Sequence, residues 1–195
     1  RQYCYLFDYH PLKFEISILQ TNEVQCYGEN QGSLSVSTTG GNTGTVTYTW
    51  NTGQSNPSTS ISNLTAATYV VVAEDPLGCM DTTTYTISQP ELLVADISDI
   101  NITDVQCFDE STGEIIVTVT GGTTNIIDQF TYNWTPNTGI ATETYDFSTS
   151  IGTGTFSDLS IGLYEVTVTD VNGCVATSNM VYVAQPTNEL SIFTD

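Results

Sequence analysis

Apolar and polar residues alternate with a period of two along most of the chain, and no segment repeats them at helical spacing. Leu12, Phe14, Ile16 and Ile18 alternate with Lys13, Glu15 and Ser17; Tyr164, Val166 and Val168 alternate with Glu165, Thr167 and Thr169. Alternation gives a segment one face for a core and one for water, which is what a half-buried β-strand needs. The pattern predicts strands near 13–19, 33–38, 45–50, 58–61, 67–74 and 81–88. A second set follows near 92–97, 114–120, 129–134, 154–156, 163–170 and 176–184, with a further edge strand over 141–147. Gly40-Gly41, Asn51-Thr52-Gly53, Gly121-Gly122, Asn137-Thr138-Gly139 and Asn172-Gly173 supply the turns between them.

The two sets are one text written twice. Val24-Gln25-Cys26, Gly32, Gly40-Gly41, Tyr48-Thr49-Trp50, Leu64, Tyr69, Asp75, Gly78-Cys79 and Gln89-Pro90 form the first copy. Val105-Gln106-Cys107, Gly113, Gly121-Gly122, Tyr132-Asn133-Trp134, Leu159, Tyr164, Asp170, Gly173-Cys174 and Gln185-Pro186 form the second. Six or seven short antiparallel strands per copy predict two tandem immunoglobulin-like β-sandwiches, an all-β fold. The spacing of Leu64 to Tyr69 and of Leu159 to Tyr164 predicts a tyrosine corner in each. The expected organisation is an N-terminal extension over 1–11, a first repeat over 12–90, a second over 91–186 and a C-terminal extension over 187–195. The second copy is longer, and its extra residues fall in loops, chiefly within 135–153, where insertions are tolerated.

Two cysteines per copy at matching places predict an oxidising compartment and one disulfide in each repeat, Cys26 with Cys79 and Cys107 with Cys174. Cys4 is left over. The charge balance narrows the partners further: 2 basic residues stand against 22 acidic ones, for a formal net charge of −20. Arg1 and Lys13 are the only permanent cations, so nucleic acid is excluded as a partner and anionic lipid surfaces are disfavoured. No apolar run is long enough for a transmembrane helix, so no membrane insertion is expected. Residues 1–10 lack the basic start and apolar block of a signal peptide, which reads as a mature product or a piece of a longer chain.

The ordered set V-x-C, G, GG, Y-x-W, L, Y-x-V-x-V-x-D-x-x-G-C and Q-P resembles the SprB-type repeat of very large cell-surface adhesins in gliding Bacteroidota. The resemblance covers roughly 12–186 in two copies. It implies secretion, display at the cell surface, an adhesive or fibrous role and no catalysis. Ala67 departs from the family, which has Gly there, and the insertion in the second copy has no counterpart in it.

Candidate chemistry is sparse. His10 is the only histidine and stands where the copies have Gln89 and Gln185, so no Ser-His-Asp, Cys-His or histidine metal set can be assembled. Asp96, Asp99, Asp104 and Asp109 bracket the junction of the copies and form a candidate Ca²⁺ set of hard oxygen ligands; no other cofactor is implied. Trp50 and Trp134 are expected to pack in the cores on a cystine rather than to grip sugars. Asp81-Thr82-Thr83 resembles the short O-glycan acceptor pattern of the same bacterial group and would place a sugar on Thr82.

Departures between the copies mark candidate contacts. Val70 and Val72 stand at outward positions that Glu165 and Thr167 fill in the second copy. Tyr3, Tyr5, Phe7 and Tyr9 alternate as a strand without a domain behind them, and 190–193 stand where another first strand would begin. These features predict a fibre subunit that partners itself, its terminal strands adding to a neighbour's sheet and Cys4 bridging between molecules. The alternative is a glycan- or receptor-binding module working through the loop at 135–153, its partner a surface glycan or a receptor.

Overall fold

The computed structural model describes residues 3–5, 11–53, 55–56, 58–124, 130–146 and 148–187, with the backbone alone for 3–5, 11–12 and 55–56. The chain divides into two compact units, Arg1–Gln89 and Pro90–Asp195. The boundary falls in the Gln-Pro pair that closes each copy.

In the first unit β1 (Tyr3–Tyr5) pairs antiparallel with β2 (Pro11–Lys13), Cys4 opposite Leu12. The sandwich is built from β3 (Glu15–Asn22), β4 (Gly32–Thr39), β5 (Thr47–Trp50), β6 (Ser55–Asn56), β7 (Ser60–Leu64), β8 (Ala67–Glu74) and β9 (Met80–Ile87). One sheet runs β3-β4-β7 and the other β6-β5-β8-β9, every neighbour antiparallel. This is the two-sheet immunoglobulin-like arrangement, and it follows from the alternation: Leu34 and Val36 of one sheet meet Trp50, Val71 and Ala73 of the other in one buried cluster. The first strand begins two residues later than the pattern predicts, after a break at Phe14, and carries a bulge between Ile18 and Gln20 that leaves Leu19 exposed.

The second unit contains β10 (Val94–Asp96), a short 3₁₀ turn (Asp99–Asn101), β11 (Ile102–Thr103), β12 (Gly113–Thr120) and β13 (Thr131–Thr135). It continues with β14 (Ile140–Asp146), β15 (Ile151–Leu159), β16 (Gly162–Thr169), β17 (Val175–Thr177) and β18 (Val181–Val183). One sheet runs β10-β12-β15-β14 with β11 also on β12; the other runs β13-β16-β17 with β18 also on β16. The insertion forms the expected edge strand, β14, which lengthens its partner to Ile151–Leu159 well beyond the predicted 154–156. Phe156 stacks on Trp134 with ring centroids 4.8 Å apart, and Gly152 and Gly154 leave the space that Phe130 and Tyr132 fill.

The last strand, expected to be continuous over 176–184, is split. Ser178 keeps one rung of the ladder, its N–H donating to the Val166 carbonyl at 2.9 Å, but its hydroxyl accepts the returning Val166 N–H at 3.0 Å in place of a main-chain carbonyl. Asn179 then uses its amide as a main-chain mimic, accepting the Ile97 N–H at 3.2 Å and donating to the Ile97 carbonyl at 3.1 Å. Two polar side chains thus stand in for backbone partners, which period-two alternation cannot reveal.

The cysteine pairing within repeats is not what the fold allows. Cys79 follows the β8 end of the β8–β9 hairpin, where Glu74 pairs with Met80. Cys26 lies beside the other end of that hairpin, where Val24 N–H donates to the Ser88 carbonyl. Eight strand residues span roughly 25 Å, whereas a disulfide needs Cα atoms within about 7 Å. The second unit repeats the separation: Val105 N–H donates to the Ala184 carbonyl near Cys107, and Cys174 follows the far end of β16. Cys107 is an exposed free thiol, while Cys26, Cys79 and Cys174 are half-cystines. The expected Cys107–Cys174 bond is therefore absent, and Cys26–Cys79 is excluded by distance.

Candidate functional site

Each unit has two polar ends, and the repeated residues gather there. The entry end receives the first strand and carries the Gly-Gly pair and the Asp-x-x-Gly-Cys turn. Asp75 is buried, and its Oδ1 accepts the N–H groups of Leu77 and Cys79, each at 2.9 Å. Its Oδ2 accepts the Asn42 N–H at 2.9 Å and the Asn42 side-chain amide at 2.6 Å. Burial alone pushes the Asp75 carboxyl up, but the donors from Cys79, Asn42 and Leu77 outweigh it and hold the group below the usual carboxylate range. Gly41, at φ 73°, brings the loop so close that a Cβ there would meet Phe14 at 2.6 Å and Asp75 Oδ2 at 3.2 Å.

Asp170 rebuilds this latch in the second unit. Its Oδ1 accepts Asn172 N–H at 2.9 Å and Cys174 N–H at 2.8 Å, and its Oδ2 accepts Thr123 N–H at 2.8 Å. One carboxylate per unit ties the hairpin carrying the second cysteine to the loop after β4 or β12.

The exit end carries the first cysteine. Glu29 N–H donates to the Cys26 carbonyl at 3.3 Å, and Glu110 N–H to the Cys107 carbonyl at the same distance. Gln89 Oε1 accepts Gly28 N–H at 2.8 Å, and Gln185 Oε1 accepts Asp109 N–H at 3.3 Å. The Gln of each Gln-Pro pair therefore holds the cysteine turn. A second carboxylate closes this end: Glu23 accepts the N–H and hydroxyl of Ser88 and the Tyr85 hydroxyl, and Asp104 accepts Ala184 N–H at 2.8 Å. Burial opposes the Glu23 charge, yet the Ser88 and Tyr85 donors hold its carboxyl low. The tyrosine corners also form as the spacing predicts: the Tyr69 hydroxyl donates to the Thr65 carbonyl and that of Tyr164 to the Ser160 carbonyl, both at 2.9 Å.

The candidate calcium residues are not brought together. Among the described residues no group of three or more His, Cys, Asp or Glu side chains is placed to hold a metal. Asp96 lies in β10 opposite Thr118, and Asp99 opens the 3₁₀ turn. Asp104 serves the exit latch, and Asp109 takes the positive φ (61°) that Gly28 takes (77°) in the first unit. Of the four, Asp104 and Asp109 have latch and turn roles in the fold. Asn42, Glu23 and the Gln pair were missed as structural residues, although Glu23 and Asp104 each precede a Val-Gln-Cys and so carried a readable signal.

The remaining predicted positions are spread over the surface and core. Thr82 is exposed on β9, open to modification, while Asp81 beside it accepts Ile16 N–H at 2.9 Å. Val70 and Val72 are half-buried rather than bare, flanked across the strands by Thr84, Thr82 and Thr49. Tyr3, Cys4 and Tyr5 form β1; Phe7, Tyr9 and 190–193 lie outside the described residues. Trp50 and Trp134 are buried, and Trp134 packs on the ring of Phe156, so neither is available to a sugar. No described helix is long and apolar enough to cross a membrane.

Comparison with solved structures finds similar chains at low identity. The D00-D0 domain of intimin is 11% identical over 88% of this chain and 100% of that one, with a TM-score of 0.46. The N-terminal eight Ig domains of Down Syndrome Cell Adhesion Molecule are 10% identical over 87% of this chain and 23% of that one, TM-score 0.44. A C-terminal 282-residue fragment of intimin, in complex with the intimin-binding domain of its translocated receptor, is 16% identical over 90% and 64%, TM-score 0.40. No curated protein matches the chain. The SprB repeat family model matches residues 18–55 and 100–139, one match in each copy, and SprB repeats belong to cell-surface adhesins. Each copy thus carries one stretch that matches the SprB repeat, at equivalent places in the two sandwiches.

Proposed function

We propose that the pair of repeats is a non-catalytic spacer segment of an extracellular adhesive fibre at the cell surface. The observation that carries this reading is that matched polar latches close both ends of each unit, while the middles of the sandwiches differ. A segment that transmits tension needs its ends to be the most strongly determined parts, because force enters where strands enter and leave. The acidic surface, with a formal net charge of −20, keeps neighbouring fibres apart and soluble. In the finer form of the reading, copies join head to tail through terminal strands. The open edge at β14, exposed along nearly its whole length, offers backbone groups to an added strand. Electron microscopy of native material is expected to show continuous beaded fibres, with filament yield lost on deleting residues 1–10. Isolated two-bead particles, or filaments at full yield after that deletion, would remove the polymerisation reading.

A glycan-binding role is favoured by one observation. Gln20, Asn22, Ser33, Ser35, Ser60 and Ser62 line a depression on the outer face of β3-β4-β7. A glycan array in which specific binding disappears with Ser33→Ala and Ser60→Ala would support it; binding lost only with residues 135–153 would place the site on the insertion instead.

A further inference from the structure

We propose, resting on the glycan-binding reading, that the depression on β3-β4-β7 takes an uncharged sugar unit of a surface glycan, and that of the two repeats the first alone carries this site. Strand register builds it. Gln20, Ser35 and Ser60 stand opposite one another across the three strands, and Asn22, Ser33 and Ser62 form the next row. Neighbouring strands lie about 4.8 Å apart and alternate residues about 7 Å apart, so the six positions make a grid of roughly 10 by 7 Å. The depression over it encloses about 270 Å³, room for one or two sugar rings.

Two departures from an ordinary strand surface open this space. Ile18 pairs with Val36, and the bulge at Leu19 puts Gln20 opposite Ser35. An amide therefore stands where an unbroken strand would place a leucine. Branched side chains suit the outer face of a sheet, and the other sheet of the same repeat has Thr49, Val72 and Thr82 in one row. Here four serines leave the face hollow.

The lining selects the ligand. Hydroxyls and amides both donate and accept, as the hydroxyls of a sugar do. The Asn22 amide donates to Ser33 Oγ at 2.7 Å, which frees the Ser33 O–H to donate to a ligand. Among the described residues Gln20, Ser35, Ser60 and Ser62 form no side-chain hydrogen bond. No lining residue is charged, in a chain with 22 acids. An anionic sugar would need a cation, and the chain has only Arg1 and Lys13, the latter paired with Glu15. An amino sugar would need a carboxylate, which the lining lacks. An uncharged ring remains.

The second repeat shows what closes the site. Gly113 pairs with Leu159 as Gly32 does with Leu64, so Glu114 stands for Ser33, Ile116 for Ser35 and Thr155 for Ser60. A charge and two branched side chains occupy the same grid.

Those residues also supply the test. Because the second repeat folds with them, Ser33→Glu and Ser35→Ile in the full chain are expected to keep the fold, which thermal unfolding checks. Ser60→Thr, a smaller change of the same kind, is expected to weaken binding less. On an array of neutral, sialylated, sulfated and amino-sugar glycans, the unaltered chain is expected to bind neutral members. Ser33→Glu and Ser35→Ile are each expected to lose roughly tenfold in affinity, as for one or two lost hydrogen bonds. Preference for charged glycans, or neutral binding undiminished in the variants, would overturn the assignment while leaving glycan recognition standing. An array on which no glycan is bound would remove the glycan-binding reading itself, and the assignment with it.

Discussion

The two repeats agree at their ends and differ in their middles. Asp75 and Asp170, Glu23 and Asp104, Gln89 and Gln185, and Tyr69 and Tyr164 each tie down a backbone group at the equivalent place in the two repeats. Between those ends the second repeat splits its first and last strands, gains the edge strand β14 and fills its core with a Trp134–Phe156 stack. Sandwich cores accept such repacking when volume and alternation are kept. A buried carboxylate serving three or four donors does not, because each donor it abandons is left without water. The contrast teaches that the repeated motif encodes the junction ends of the unit more than its core.

The sharpest way to break the comparison is to remove the entry latch. Asp75→Ala and Asp170→Ala are each expected to cost about 3 kcal/mol, since several buried donors lose their partner together. Denaturant unfolding of the two variants should show similar losses, each confined to its own repeat; a loss below about 1 kcal/mol in either would deny the equivalence. A smaller effect is expected at the tyrosine corners, where Tyr69→Phe and Tyr164→Phe each remove one hydrogen bond worth about 1 kcal/mol.

Acid titration sharpens the comparison at the charged latches. The Asp75 and Glu23 carboxyls are held low in the folded protein, so the unfolded chain takes up protons first as pH falls. Their contribution is fully present above the ordinary carboxylate range and drains away as pH drops through the folded values, below about pH 4. Unfolding midpoints of the first repeat measured from pH 6 to pH 2 are expected to fall, and Asp75→Ala is expected to flatten that fall.

The smallest expected effect separates two tyrosines at the same place in the two cores. The Tyr48 hydroxyl bonds Thr38 Oγ1 at 3.2 Å, whereas the Tyr132 hydroxyl is buried without a partner among the described residues, Val119 replacing the threonine. Burial, and then the Glu143 charge, push the Tyr132 hydroxyl far above its ordinary value. Tyr48→Phe should cost about 1 kcal/mol and Tyr132→Phe almost nothing, as thermal unfolding can report. Equal costs would mean that Tyr132 has a partner after all.

The sequence carried the sandwich well, because Leu34-x-Val36 and Tyr164-x-Val166-x-Val168 announce strands and the Leu-to-Tyr spacing announces the corners. It carried the cysteine chemistry badly for a reason that was legible. Successive strands reverse direction, so Cys26, between β3 and β4, and Cys79, between β8 and β9, fall at opposite ends. Matching positions invited a pairing that strand parity forbids. The acids at the junction show a related ambiguity: composition cannot distinguish a carboxylate that caps a backbone N–H, as Asp104 does for Ala184, from one that binds a cation. Ser178 and Asn179 left no periodic trace, since they break the ladder and repair it with side chains.

The most direct test of the account is amide hydrogen exchange at the latched backbone groups of both repeats, Cys79 and Ser88 in the first and Cys174 and Ala184 in the second. If the latches determine the ends of each repeat, these amides exchange as slowly as those of the central strands β8 and β16. Exchange at the rate of open loops, in either repeat, would contradict the claim.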